Sequence, residues 1–435
     1  MKRVLIITYY WPPTGGSGVQ RWLKISKYLP KNGWQPVIFT PENPEQIAID
    51  ESLGKEIPKE AEIIKRHICE PYTLYHKFVG RKSSKQNLNP LIVAGKRSFK
   101  EKVSLWLRAN LFVPDPRILW KKSSVKFLIK YLKENPCDVV VSTAPPQSIH
   151  LIARELKRKI DIKWIADFRD PWTKMYYFKH IPMCKFINRK HESLEKAVLN
   201  EADMVFSANK SVRDEFIEIS GTDELKFYSI ENGFDEDDFK VERDKSSEDK
   251  FVICQTGLFD IGRNPEKLWE SLVELSVEIP EFKNDLLIRQ IGKMDEAVRC
   301  QFKDLGLAKN FIDMGYMDHK DLAKYQLSSN ILLLPLLHEK ESQSILPGKY
   351  FEYLAARKPL VCFGPKEGAL AKSLEQTKSG KIFEWNEKEI LKQYVKQIYE
   401  DWIFRGKKLP EVGVENEIIK YSRRVETENI CKLFT

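Results

Sequence analysis

Along the chain, short blocks of apolar residues alternate with longer stretches in which apolar positions recur every three or four residues. Val4–Thr8, Val37–Thr40, Asp138–Ser142, Lys163–Ala166 and Met204–Ser207 read as strands. Val19–Leu29, Ser124–Glu134, Ser148–Arg158, Phe186–Asn200 and Lys210–Ile219 read as amphipathic helices between them, and Lys226–Ile230 as an edge strand. Strand and helix in regular alternation predict α/β layers around a parallel sheet. The polar run 236–250 interrupts the pattern and reads as a linker. The alternation then restarts with strands over Phe251–Thr256, Asp285–Gly292, Phe311–Met314, Ile331–Pro335 and Leu360–Phe363. Helices fall at Pro265–Val277, Asp295–Leu305 and Lys320–Leu327, and a helical tail spans Glu415–Phe434.

A chain of 435 residues exceeds what one core usually serves. The pattern divides it into domains at 1–235 and 251–410, joined by the linker and followed by a C-terminal helical segment, 411–435. Composition is that of a globular protein, 42% hydrophobic and 31% charged. The 72 Lys and Arg exceed the 62 Asp and Glu, giving +10. Such an excess suits nucleic acid, an anionic membrane or phosphorylated ligands, and no nucleic-acid signature accompanies it. Seven cysteines, an odd number with no C-x-x-C pair, suit free thiols in a reducing cytoplasm. The histidines show no zinc spacing. The apolar start ends at Tyr9-Tyr10-Trp11-Pro12-Pro13 with no cleavage site, and no run is long enough to cross a bilayer.

The most informative segment is Pro347-Gly348-Lys349-Tyr350-Phe351-Glu352. Here a glycine opens a helix that starts with a lysine and carries a glutamate one turn on. Unpaired N–H groups and the helix dipole favour an anion at such an end, Lys349 adds a full charge, and Glu352 is set to accept from a pair of hydroxyls. A pyrophosphate and a ribose have that layout. Gly257-Leu258-Phe259-Asp260-Ile261-Gly262-Arg263-Asn264 repeats the strand–glycine–helix plan, with Arg263 able to clamp a phosphate or simply to lie solvated. The loop Thr14-Gly15-Gly16-Ser17-Gly18 follows the first strand. Its glycines admit close backbone approach of a ligand, or merely a tight turn; G-x-G-x-x-G is absent.

Past the strand ending at Ala166 the chain reads Asp167-Phe168-Arg169-Asp170-Pro171-Trp172. Its acids suit a general base or an acceptor hydroxyl, and an internal Asp–Arg pair is the competing reading. In Ser142-Thr143-Ala144-Pro145-Pro146-Gln147-Ser148-Ile149-His150, Ser148 is an N-cap candidate and His150 reads as structural. Lys77–Lys102 carries eight basic residues and one acid among apolar ones, followed by the apolar run Val103–Val113. A solvated excursion and contact with an anionic membrane surface are both open.

Together these residues resemble the retaining glycosyltransferases of family 4, with a GT-B fold of two Rossmann-like domains facing across a cleft. The resemblance implies that Gly15, Gly16 and Gly18 lie by the donor diphosphate and reacting sugar, and that Arg263, with Asn264 beside it, Gly348 and Lys349 hold the diphosphate. Glu352 would bind the ribose and the segment at Tyr316 the nucleobase. Asn232-Gly233-Phe234-Asp235 is similar to the family's N-G-x-D segment, and the last helix would cross back onto the first domain. Ser344 stands where many members have a glutamate. Asp167, Arg169 and Asp170 replace a usual His-Asp, as in a subset with an Asp-Phe-Arg-Asp-Pro-Trp motif.

The expected activity is transfer of a hexose-type sugar from a nucleotide-diphosphate donor to a saccharide or lipid-linked saccharide, with retention, in surface polysaccharide biosynthesis. No cofactor or essential metal is expected, because no Asp-x-Asp motif is present where such a donor would need one. The expected place is the cytoplasm, at the inner face of the membrane. A nucleotide-sugar epimerase of the same fold and a non-catalytic saccharide- or nucleotide-binding module remain the alternatives.

Overall fold

The computed structural model describes residues 1–45, 49–70, 99–175, 178, 180–339, 342–343 and 345–435. Ser344 and most of the basic stretch, 77–98, lie outside the described residues. The chain forms two units, Met1–Glu231 with Glu426–Thr435, and Asn232–Val425. Each is a parallel-sheet Rossmann-like domain.

In the first unit the elements run β1 (Lys2–Ile7), α1 (Ser17–Tyr28), β2 (Trp34–Pro41), β3 (Glu62–Arg66), α2 (Phe99–Leu111), α3 (Lys121–Glu134), β4 (Val139–Ala144), α4 (Ser148–Ile160), β5 (Lys163–Phe168), α5 (Lys185–Glu201), β6 (Met204–Ser207), α6 (Lys210–Ser220) and β7 (Phe227–Ser229). The sheet order is β3-β2-β1-β4-β5-β6-β7, with Leu5 opposite Val37 and Val140. Both faces are apolar because both are covered. Leu5, Phe39 and Val140 pack with Trp120, Leu128 and Ile152 on one side. Val4, Ile6 and Val141 pack with Trp22 and Leu23 on the other. Strand order reverses between β1 and β4, the kind of position at which open α/β sheets bind ligands.

The second unit contains β8 (Phe251–Thr256), α7 (Glu266–Glu278), α8 (Pro280–Asp285), β9 (Leu286–Ile291), α9 (Glu296–Asp304), β10 (Phe311–Asp313), α10 (His319–Leu327), β11 (Ile331–Pro335), α11 (Gly348–Ala356), β12 (Leu360–Phe363), α12 (Ala369–Thr377), β13 (Gly380–Phe383), α13 (Lys388–Phe404) and α14 (Glu415–Ile418). Its order, β10-β9-β8-β11-β12-β13, reverses between β8 and β11. Cys254 and Cys362 are buried free thiols in these strands.

Several elements differ from the sequence reading. β3 extends the first sheet beyond the second strand; its charged residues Glu62, Lys65 and Arg66 hid it. The apolar run after the basic stretch is helix α2. The polar segment 236–250 is fastened to the second unit, where Asp244 pairs with the buried Arg289 at 3.2 Å. Composition marked it as a linker because its binding is done by polar groups. The tail breaks at Ser422, and α15 (Arg423–Phe434) starts afresh. Its end belongs to the first unit, with Ile430 fully buried, Phe434 edge-on to Trp34, and Lys163 Nζ donating to the Leu433 and Phe434 carbonyls.

Candidate active site

In the second unit, the C-terminal ends of β8, β9 and β10 are joined through glycine backbone. Gly257 N donates to Ile291 O at 2.6 Å, and Gly292 N donates to Gly315 O at 2.7 Å. A Cβ on Gly292 would meet Gly257 backbone atoms at 2.6–2.8 Å, and all three glycines have positive φ. Only glycine fits a seam that is both this close and left-handed. The buried Gln290 donates to Gly257 O at 2.9 Å and braces it. Sequence reasoning missed Gly292 and Gln290, having absorbed both into a strand; the signal was a second apolar strand ending on Gly.

Lys349, in the first turn of α11, reaches over this seam and donates to Thr256 O at 2.5 Å. Burial first, and then the Arg263 charge, lower its pKa to about 8 against the opposing pull of Glu352 and Asp260. The structure therefore brings Arg263, Lys349 and Glu352 into one electrostatic neighbourhood. Gly348 begins α11 with Pro347 as its extended N-cap. Arg263 is held by an ion pair with Asp260 in the same loop. Glu352 accepts from Gln326 Nε2 at 3.4 Å and is half-buried. Tyr316 is exposed in the loop after β10. Asn264 is committed elsewhere: its amide oxygen accepts from Trp269 and its amide nitrogen donates to Gln301. It shapes the loop from within. Ser344 lies outside the described residues.

In the first unit, Gly15, Gly16 and Gly18 lie on the loop between β1 and α1, with Gly16 as helix N-cap. Gly18 is approached by a side chain of this chain. Arg169 donates to Gly18 O, and a Cβ there would lie 2.9 Å from Arg169 Nη1. The same guanidinium donates to Ala144 O at 3.1 Å and Pro145 O at 2.6 Å. One planar cation thus ties together the start of α1 and the ends of β4 and β5.

Asp167 sits within β5, wholly buried. One oxygen accepts from Arg21 at 3.0 Å; the other accepts from Trp22 Nε1 at 2.6 Å and Thr143 Oγ at 2.8 Å. This buried pair fixes the sheet–helix junction. Asp170 stands differently. It is partly buried and has no side-chain hydrogen bond among the described residues. Burial raises its pKa, Arg169 counteracts this, and Asp167 adds to it. Trp172 turns inward to donate to His191 Nδ1 at 3.1 Å, while Glu195 accepts from the Trp172 and Thr173 amides. His150 is buried in α4 with Nδ1 2.8 Å from Ser142 Oγ; burial lowers its pKa to about 3 and keeps it neutral.

Two parallel-sheet Rossmann-like units are the GT-B class of fold seen in glycosyltransferase structures. Residues 236–420 match the family model for Glycosyl transferases group 1. Over 201 residues the chain is 23% identical to the putative teichuronic acid biosynthesis glycosyltransferase TuaH of Bacillus subtilis (strain 168). That alignment spans 45% of this chain and about half, 49%, of the relative. A glycosyltransferase from Rickettsia africae ESF-5 superimposes with TM-score 0.60 at 14% identity, covering 100% of this chain and 97% of that one. Anabaena Alr3699/HepE, in complex with UDP and glucose, gives TM-score 0.56 at 12% identity, covering 100% and 99%. At these identities the structural likeness is one of fold.

Proposed function

We propose that this chain is a glycosyltransferase that moves a sugar from a nucleotide-diphosphate donor to a hydroxyl of a saccharide or lipid-linked saccharide, in surface polysaccharide biosynthesis. The observation that carries this reading is Lys349. It is a half-buried amine whose pKa burial and Arg263 depress, at a helix start and over a glycine seam, in a region that matches a glycosyltransferase family. Such a charge is costly unless an anion completes it. The diphosphate would lie against Lys349, Arg263 and the α11 N-terminus, which stabilise charge on the leaving group. This cationic set supplies the countercharge with no metal called for. Glu352 would hold the ribose and the loop at Tyr316 the base. The UDP complex of the Anabaena neighbour and the teichuronic acid biosynthesis in the Bacillus relative's name support this assignment.

In the first unit Asp170 is the better-placed acid for the acceptor's proton, because Asp167 has its oxygens occupied by the protein. Retention of configuration, as in family 4, follows from the motif resemblance. The place proposed for the enzyme is the cytoplasm at the inner membrane face, where its basic excess would meet anionic lipid. Among the described residues no helix is long and apolar enough to cross a membrane.

The test is a thermal-shift screen of nucleoside diphosphates and their sugar conjugates, followed by product analysis. Arg263→Ala and Lys349→Ala should each weaken donor binding at least tenfold. Unchanged affinity in both would refute the clamp, and donor conversion without acceptor would favour the epimerase.

A further inference from the structure

Two adjoining cavities in the first unit have no part in the donor site. The inner one, about 250 Å³, is walled by Leu105, Ala109 and Phe112, by Pro146, and by Trp172 and Phe178. Leu105, Arg108, Ala109 and Phe112 follow each other at spacings of three, one and three residues, so they form one stripe of α2 and its continuation. Arg108 brings a guanidinium to this lining, and the other charged groups at its border are engaged within the protein. Arg117 pairs with Glu70 at 2.7 Å and Glu45 at 3.2 Å. Asp115 accepts from Ser148 N and Oγ. His191 is buried and held neutral, its pKa lowered to about 4 by burial and by Lys190. Apart from Arg108 and Gln147, what lines the space is an apolar, partly aromatic surface.

Phe178, Ile181 and Met183 separate this space from a second cavity of about 600 Å³, and they line both. The outer cavity is basic. Lys174, Lys185 and Arg189 face it with one acid, Glu192, whose carboxylate already accepts from Asn188 at 2.8 Å. None of the three cations is in an ion pair among the described residues. Alongside, Trp106, Leu111 and Phe186 expose 49%, 68% and 72% of their surface. Asn110 staples α2 to the segment before α5 through Pro182 O and Cys184 N, both at 2.9 Å.

We propose that the two cavities form one amphipathic site for a lipid phosphate, with the alkyl chain in the inner cavity and the phosphate among Lys174, Lys185 and Arg189. A mostly apolar slot, continuous with one where three cations face a single acid and form no ion pair among the described residues, complements a molecule that is greasy at one end and anionic at the other. The site adjoins Trp172, two residues beyond Asp170. On the reading given above, it selects a lipid-linked acceptor over a free saccharide.

The test is equilibrium binding of monomeric n-alkyl phosphates to the full chain by calorimetry. Affinity should rise roughly threefold per methylene from butyl to decyl phosphate, and decyl phosphate should bind at least tenfold tighter than decyl glucoside. Ala109→Phe should flatten the chain-length series. Lys185→Glu with Arg189→Glu, both on the solvent-facing side of α5, should remove the preference for phosphate over glucoside. Inorganic phosphate binding as tightly as decyl phosphate would overturn the proposal. So would an unchanged series in a folded Ala109→Phe, or binding to phosphatidylglycerol vesicles with none to monomeric decyl phosphate. UDP binding, measured on the same samples, reports on the donor reading alone and should be unaffected by these variants.

Discussion

The Lys349 ammonium lies 2.8 Å from the point where a Cβ on Gly257 would stand. The lysine occupies the space that the glycine leaves open. The two residues are far apart in sequence, and each explains the other. Gly257 has φ +85, so its left-handed turn and its missing side chain serve the same contact.

Gly257→Ala should therefore do two things at once. Left-handed backbone costs a non-glycine residue about 1–2 kcal/mol, and the methyl displaces Lys349. Nucleoside diphosphate affinity should fall at least tenfold by calorimetry, alongside a lower melting temperature. Gly306→Ala is the matched control. That position has φ +72 and open space around it, so the melting temperature should drop while nucleotide affinity holds.

Lys349 also sets a pH dependence. Its pKa in the free protein is about 8, against an ordinary 10.5. A bound diphosphate favours the ammonium and raises that value. Binding should be strongest below pH 8 and weaken above it, by up to about tenfold per pH unit. The effect on folding has the opposite sign. Between pH 8 and 10.5 the unfolded chain binds more protons at this residue, so the penalty present below pH 8 is relieved as pH rises. Isothermal titration of UDP from about pH 6.5 to about 9.5 should show the step, and Lys349→Met should lack it.

Asp167→Asn should act on stability first. The substitution leaves Arg21 buried, 2% exposed, without its countercharge. Breaking a buried pair from one side costs about 3–5 kcal/mol. Chemical denaturation should show a loss of that order, with activity per folded molecule largely kept. If the Asp167→Asn variant were fully stable but inactive, Asp167 would instead be the reacting acid.

Arg169→Met should separate positioning from binding. Three backbone carbonyls lose a charged donor, and each such bond is worth about 1.5–3 kcal/mol. The loops after β1 and β4 lose their common tie, so kcat should fall at least a hundredfold while UDP affinity changes less than threefold. Arg169→Lys should restore little, because an ammonium cannot span the three carbonyls from one plane.

Asp170→Asn removes the one motif acid with no side-chain hydrogen bond among the described residues. Folding should be nearly unaffected, because burial already disfavours its charge. Transfer to acceptor should drop at least a hundredfold, with nucleotide binding intact, in a product assay run beside calorimetry.

The alternation of apolar strands and amphipathic helices was legible by itself, because strands covered on both faces must be apolar along their length. So was the helix start at Gly348 with a lysine in its first turn, since both are local facts. β3 and the fastening of 236–250 were not legible, because an edge strand and a polar strap carry no apolar signature. The roles of the Asp-Phe-Arg-Asp-Pro-Trp residues also needed distant partners. Asp167 became a structural anchor only once α1 brought Arg21 and Trp22 to it. Gly18 became the landing point of Arg169 rather than open backbone.

Sequence alone determined two Rossmann-type units and a cationic helix start, because periodicity and helix-end electrostatics act within a few residues. Tertiary structure decided which charges are paired within the protein and which are not. Burial and hydrogen-bond saturation arise only when strands distant in sequence become neighbours, and those two quantities separate Asp167 from Asp170 and lower the pKa of Lys349.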